Sequence, residues 1–99
     1  MNAVELDIIL QKNKIVVVDF FASWCGPCKM LSPIIHELSE EIKDVTFIKV
    51  DVDQEVELAR KFNVMSIPTV YLFKDGKQIS SFMGFRPKEA IVQWIKTNA

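Results

Sequence analysis

The two cysteines of this chain stand two residues apart, in the segment Trp24-Cys25-Gly26-Pro27-Cys28-Lys29. An apolar run from Ile15 to Phe21 precedes them and a helical pattern over 26–42 follows, so they lie where a strand gives way to the first turn of a helix. That turn carries free backbone N–H groups and the positive end of the helix dipole, which stabilise a thiolate. We therefore predict that Cys25 is an exposed nucleophile and that Cys28, farther inside, is the resolving thiol.

A Cys-x-x-Cys pair has two other common uses, and both fit this chain poorly. A zinc site needs four ligands, but the chain has no further cysteine and a single histidine, His36. A structural disulfide across two residues closes almost no loop and so adds little stability. Gly26 and Pro27 keep the intervening turn small and stiff, and a first helical turn does not need the N–H that proline lacks. These points favour a redox pair.

Length and composition predict one domain spanning residues 1–99, with a monomer as the default state. The net charge is −1, which gives no indication of binding to nucleic acid or to a membrane surface. No apolar run approaches the roughly 20 residues that a membrane helix needs. The first residues lack the basic region of a signal peptide, so we expect a cytoplasmic location, where a Cys-x-x-Cys pair is typical of redox proteins.

The apolar periodicity predicts alternating helices and strands with a hairpin near the end. The first two strands are joined by a helix and should be parallel, whereas the Asp75-Gly76 turn predicts an antiparallel pair. The expected elements are a helix over 5–11, a strand over 15–21, a helix over 26–42 with Pro33 in its interior, a strand over 45–51, a helix from an N-cap at Asp53 to about Phe62, strands over 69–73 and 78–83, and a last helix opened by Pro87.

From about residue 13 to its end, the chain resembles the thioredoxin family. The similar segments are the active-site stretch Val18 to Lys29, the strand Phe47 to Asp53, the cis-proline signature Ile67-Pro68-Thr69 and the hairpin Lys74 to Lys77. The resemblance implies the thioredoxin fold, an α/β architecture with a central mixed sheet of four to five strands flanked by about four helices. Two departures stand out: Phe21 replaces a tryptophan that many thioredoxins carry, and the short N-terminus predicts that the first edge strand is truncated or missing.

Two charged residues interrupt the buried strands. Asp19 is either solvated at an exposed strand end or buried with a raised pKa. The resemblance implies the buried form, acting as a proton acceptor behind Cys28. Lys49 is either an exposed edge lysine or, as the resemblance implies, the partner of Asp19, whose pKa its ammonium would lower.

The resemblance also implies a groove for an extended client segment. Pro68 would be cis, although most X-Pro bonds are trans, and the Ile67 backbone would then bind the client by strand-like hydrogen bonds. The alternative is a trans proline that starts a strand. The small or apolar residues expected to line the groove are Trp24, Gly26, Pro27, Ile67, Gly84 and, with them, Val52 and Met83.

The implied activity is thiol–disulfide exchange that reduces protein disulfides. Gly26-Pro27 is similar to reducing thioredoxins, whereas oxidising relatives usually carry histidine there and glutaredoxin-like enzymes usually carry Pro-Tyr. No bound metal or organic cofactor is expected, and reducing equivalents would come from NADPH through a flavin-containing thioredoxin reductase. Two alternatives remain open: an oxidant or isomerase, and a binding module or subunit in which the cysteine pair is incidental.

Overall fold

The computed structural model describes residues 1–99 and contains four helices and four strands. In chain order they are α1 Ala3–Lys12, β1 Ile15–Phe21, α2 Gly26–Glu41, β2 Thr46–Asp51, α3 Val56–Lys61, β3 Thr69–Lys74, β4 Lys77–Met83 and α4 Lys88–Asn98. The predicted boundaries agree within two residues. None of the helices has both the length and the apolar character needed to cross a membrane.

The four strands form one mixed sheet in the order β2-β1-β3-β4, which confirms the predicted fold class. Strand β1 pairs in parallel with β2 and antiparallel with β3, and β3 pairs antiparallel with β4. No strand of residues 1–99 lies outside β2, so β2 is an outer edge of this sheet. Asp75 and Gly76 both have positive φ values, 52° and 80°, as a two-residue hairpin turn requires.

The two faces of β1 bury different layers of the protein. Val16, Val18 and Phe20 pack with apolar residues of α1 and α3, whereas Ile15 and Val17 pack with those of α2 and α4. Because side chains alternate along a strand, Asp19 points to the same face as Val17. The sequence therefore places a carboxylate in the otherwise apolar layer beneath α2 and α4.

Helix α3 begins later than predicted, because Asp53 is not its N-cap. The helix starts at Val56 after Glu55, which makes no side-chain capping bond. Residues 52–55 instead form a turn in which the N–H groups of Gln54 and Glu55 donate to the carbonyl oxygen of Asp51. The Asp53 carboxylate accepts a hydrogen bond from the indole Nε1–H of Trp24 at 2.8 Å. The Asp53 side chain, which the local sequence pattern predicted as a helix cap, is thus bound by Trp24, a residue distant in the sequence.

Candidate active site

The cysteines lie at the junction between β1 and α2, as predicted. Cys25 is the N-cap of α2, and its Sγ accepts a hydrogen bond from the backbone N–H of Cys28 at 3.2 Å. The two sulfur atoms are joined in a disulfide. Pro27 lies in the first turn of the helix, where its missing N–H leaves no bond unmade. The Sγ atom of Cys25 therefore lies at the end of the helix that favours negative charge.

The prediction that Cys25 is exposed is wrong for this disulfide-bonded form. Cys25 is 5% exposed and Cys28 is 3% exposed, so the two side chains are almost equally buried. Ala22 packs with both cysteines, and Phe21, Val52 and Ile67 pack against this small cluster. The Sγ atom of Cys25 lies 3.9 Å from the carbonyl oxygen of Ile67. The two cysteines therefore differ in their positions on α2, as N-cap and as a residue of the first turn, and not in their exposure.

The segment before β3 packs against the cysteines through Ile67, and the residue after β4, Gly84, is hydrogen-bonded to that segment. The Ile67-Pro68 peptide bond is cis, as the resemblance implied. The carbonyl oxygen of Pro68 accepts a hydrogen bond from the N–H of Gly84 at 2.9 Å, and Gly84 has a positive φ of 81°. Thr69 and Met83 are register partners in the β3–β4 ladder. The predicted groove residues Ile67, Pro68 and Gly84 are therefore held together at one end of the sheet.

The rim around the disulfide is apolar and exposed. Trp24 is 68% exposed, Gly26 and Pro27 are also exposed, and an open hollow of about 210 Å³ runs between Trp24 and Ile67. Residues that the sequence did not single out complete this rim: Met65 lines the hollow, and the Ser66 hydroxyl lies 3.1 Å from Sδ of the exposed Met83. Nothing in the sequence indicates these roles for Met65 and Ser66, and the sequence predicts Asp53 only as a helix cap, because the roles depend on which segments the fold brings together.

The hydrogen bond between Trp24 and Asp53 predicts a measurable effect on the site. Replacing Asp53 with alanine removes the acceptor that orients the exposed indole, and one such bond contributes roughly 1 kcal/mol. We expect Asp53→Ala to shift the Trp24 fluorescence and to lower kcat/KM for a protein disulfide about fivefold. Asp53→Asn retains an acceptor oxygen and serves as the control. Equal rates for Asp53→Ala and the unmodified protein would show that the indole needs no fixed orientation.

Asp19 is buried without a hydrogen-bond partner. Its side chain is 1% exposed, and neither carboxylate oxygen has a donor within reach. Burial raises the pKa of Asp19 from an ordinary 3.8 to about 6, and the positive charge of Lys49 opposes this shift only in part. The alternative of a solvated strand end is therefore wrong.

Lys49 does not form the direct ion pair with Asp19 that the resemblance implied. The two residues are register partners in β1 and β2, but the exposed ammonium of Lys49 donates to Oγ of Ser32 and lies 4.5 Å from the centre of the Phe21 ring. The Asp19 carboxylate is therefore left without a contacting cation. A small cavity of about 110 Å³ is lined by Cys28, Ser32 and Lys49, among others.

Known proteins with similar sequences belong to the family that the site suggests. A sequence model of the family described as thioredoxin matches residues 2–97, almost the whole chain. The chain belongs to the thioredoxin family. The thioredoxin of Mycoplasmoides gallisepticum is 50% identical over 95 residues, which are 96% of this chain and 95% of the relative. Thioredoxin-1 of Saccharomyces cerevisiae is 45% identical over 98 residues, 99% of this chain and 94% of the relative.

Solved thioredoxin structures have the same fold. A mutant thioredoxin from Halobacterium salinarum superposes with a TM-score of 0.92 at 37% identity, covering 99% of this chain and 86% of that one. Together with the Cys25–Cys28 disulfide, thioredoxin membership makes this protein a thiol–disulfide oxidoreductase that acts by dithiol–disulfide exchange. Nothing in the site favours the alternative of a redox-inactive binding module. No group of three or more His, Cys, Asp or Glu side chains is arranged to hold a metal ion.

Proposed function

We propose that this protein acts as a single domain that reduces disulfides in client proteins, with Cys25 as nucleophile and Cys28 as resolving thiol. The observation that carries this proposal is the position of Cys25 as N-cap of α2, where its Sγ accepts the N–H of Cys28. Those backbone donors stabilise a thiolate on Cys25, and Cys28 lies within reach of any disulfide that Cys25 forms.

The exchange takes place in two balanced steps. In the dithiol form, the Cys25 thiolate attacks one sulfur of the client disulfide, which breaks the client S–S bond and releases its other sulfur as a thiolate. Cys28 then loses its proton and attacks Sγ of Cys25, which breaks the mixed disulfide and releases the second client thiolate. The client gains two electrons, and the protein is left with the Cys25–Cys28 disulfide seen here.

Asp19 is proposed to accept the proton of Cys28 in the second step. A carboxylate whose pKa lies at about 6 is deprotonated near neutral pH yet remains a better base than an ordinary aspartate. Asp19 is buried without a hydrogen-bond donor or a contacting cation, and this supports the role, because a paired or solvated carboxylate would hold a proton less readily. Lys49 is proposed to lower the pKa of Asp19 by its charge, acting through space and without direct contact.

The rim is proposed to bind an extended client segment. The Ile67 backbone, next to the cis Pro68, supplies strand-like hydrogen bonds, and Gly26, Pro27 and Gly84 allow close approach. Trp24 adds exposed apolar surface without selecting one client.

The oxidised protein is proposed to be recharged in the cytoplasm by a flavin-containing thioredoxin reductase that uses NADPH. One similar structure supports peroxiredoxins as clients. It has 36% identity and a TM-score of 0.90, and it comes from work on the thiol-resolving mechanism of yeast mitochondrial 1-Cys peroxiredoxin via glutathione/thioredoxin systems.

Two measurements test the proposed function. With NADPH and a thioredoxin reductase, the protein should catalyse reduction of the insulin disulfides, and its own pair should equilibrate at about −270 mV, the value typical of reducing thioredoxins. A potential between about −180 and −120 mV would instead indicate an isomerase or an oxidant. Loss of insulin reduction with a normal potential would point to a different class of client.

A further inference from the structure

The absence of an ion pair at Asp19 is unexpected from the sheet alone. Asp19 of β1 and Lys49 of β2 are register partners in a parallel ladder, so their side chains leave the sheet side by side on the same face. The four-carbon stem of lysine is long enough to place its ammonium on a neighbouring carboxylate. Both oxygens of Asp19 nevertheless lack any donor, although each could accept one.

Two groups hold the ammonium of Lys49 elsewhere. Ser32, on the part of α2 that lies over this edge of the sheet, accepts its hydrogen bond. The ring of Phe21 lies 4.5 Å from the same nitrogen, within the range of a cation–π contact. Phe21 is two residues beyond Asp19 on the same face of β1, so the ammonium is displaced along the strand, past the carboxylate and toward the cysteines.

We propose that Ser32 is a positioning residue: its hydroxyl holds the Lys49 ammonium over Phe21 and so keeps the buried carboxylate of Asp19 without a contacting counter-ion. This proposal rests on the proton-accepting role proposed for Asp19. If Lys49 were free to move, the unpaired carboxylate would be the strongest acceptor near it, and a direct ion pair would form. Asp19 would then hold its proton less readily and would be a weaker base toward Cys28.

The other neighbours of Asp19 do not supply a competing charge. Its register partner on β3 is Val70, and α4 contributes the apolar residues Ile91, Trp94 and Ile95 to this layer. From α2 the inward residues are apolar except for Cys28, which can ionise once the disulfide is reduced. Lys29 of α2 is a second cation near this layer, and it lines the same cavity as Cys28, Ser32 and Lys49. Of the two cations, Lys49 is the one whose charge lowers the pKa of Asp19.

The test measures the pKa of Asp19 directly, by NMR of the side-chain carboxyl in protein labelled with ¹³C at aspartate. In Ser32→Ala the pKa of Asp19 should fall by roughly 1 unit, the lower end of the effect of an opposite charge at contact distance. Ser32→Thr keeps a hydroxyl and should restore the original value. Ser39→Ala is the matched control, because Ser39 lines the same groove of α2 but donates to the carbonyl oxygen of His36.

A double substitution shows whether Ser32 acts through Lys49. Lys49→Met removes the charge but keeps the stem, and the pKa of Asp19 should rise. Adding Ser32→Ala to Lys49→Met should then change nothing, because no ammonium remains to be released. A fall of the same size in the double variant would mean that Ser32 acts on Asp19 by another path and would overturn the proposal, as would an unchanged or raised pKa in Ser32→Ala alone.

The same samples separate this proposal from the role proposed for Asp19. The pH dependence of insulin reduction is compared in the unmodified protein, Ser32→Ala and Asp19→Asn. If Asp19→Asn leaves the pH profile unchanged, the role of Asp19 in catalysis is wrong, while the NMR shift in Ser32→Ala would still establish the positioning of Lys49. If both hold, the acidic limb of the profile should move to lower pH in Ser32→Ala by the shift measured for Asp19.

Discussion

Replacing Cys25 with serine is expected to lower the turnover of protein disulfides by a factor of roughly 10³ or more. A serine hydroxyl does not ionise near neutral pH, so the thiolate that the first turn of α2 stabilises is lost and no mixed disulfide can form.

Replacing Cys28 with serine should stop the reaction one step later, after the mixed disulfide has formed. The Cys28→Ser variant retains the nucleophile, so it should accumulate a covalent one-to-one adduct with the client.

Intact mass spectrometry of each variant after mixing with a disulfide client distinguishes these two outcomes. Only Cys28→Ser should show the adduct, and dithiothreitol should release it. Ser23→Ala, an exposed residue beside the site, should react like the unmodified protein. Adduct formation by Cys25→Ser instead would reverse the proposed roles, and a cellular function that survives both substitutions would revive the alternative of a binding module.

Removing the Asp19 carboxylate is expected to stabilise the fold at pH 8. The pKa of Asp19 is about 6 in the folded protein and 3.8 ordinarily, so between these values the folded state binds a proton that the unfolded state does not. The free energy of unfolding therefore falls as pH rises from about 4 to 6 and remains lower above 6. The difference of about two pKa units corresponds to roughly 3 kcal/mol, which Asp19→Ala should recover, less the cost of a small cavity.

Urea unfolding of the disulfide form at pH 4 and pH 8 provides the measurement. The variant should be more stable than the unmodified protein at pH 8, and this advantage should shrink or vanish at pH 4. Asp44→Ala, which removes an exposed carboxylate from the loop before β2, should show no such change with pH. An advantage that grows as pH falls would have the wrong sign for a raised pKa and would contradict the burial of an unpaired Asp19.

The secondary structure was predictable because its determinants are local. The apolar run of β1, the apolar spacing of α2 and the Asp75-Gly76 turn each restrict the backbone within a few residues. The start of α3 was not predictable in the same way. Asp53 is a good capping residue by type, and the chain offers no local sign that Trp24, 29 residues earlier, lies close enough to bind it.

The candidate site shows the same division between local and long-range information. The cysteine pair and its place at a helix start follow from spacing alone, and the roles of Pro68 and Asp19 came from family resemblance. The partner of Lys49 could not be predicted, since a long flexible side chain binds the best acceptor that tertiary structure brings near it. The burial of Cys25 likewise depends on Val52 and Ile67, which come from other parts of the chain.

Lys49 has a second effect, which follows from its position on the edge strand β2. Because β2 is the outer strand of the sheet, its free backbone groups form an edge on which another chain could add a strand and begin aggregation. A lysine in the middle of such a strand discourages that addition, since its charge would have to be desolvated. Phe47 and Ile48, the residues before it, offer no such protection. Variants that remove the charge of Lys49 should therefore be more prone to self-association, and their solubility needs to be measured alongside their redox behaviour.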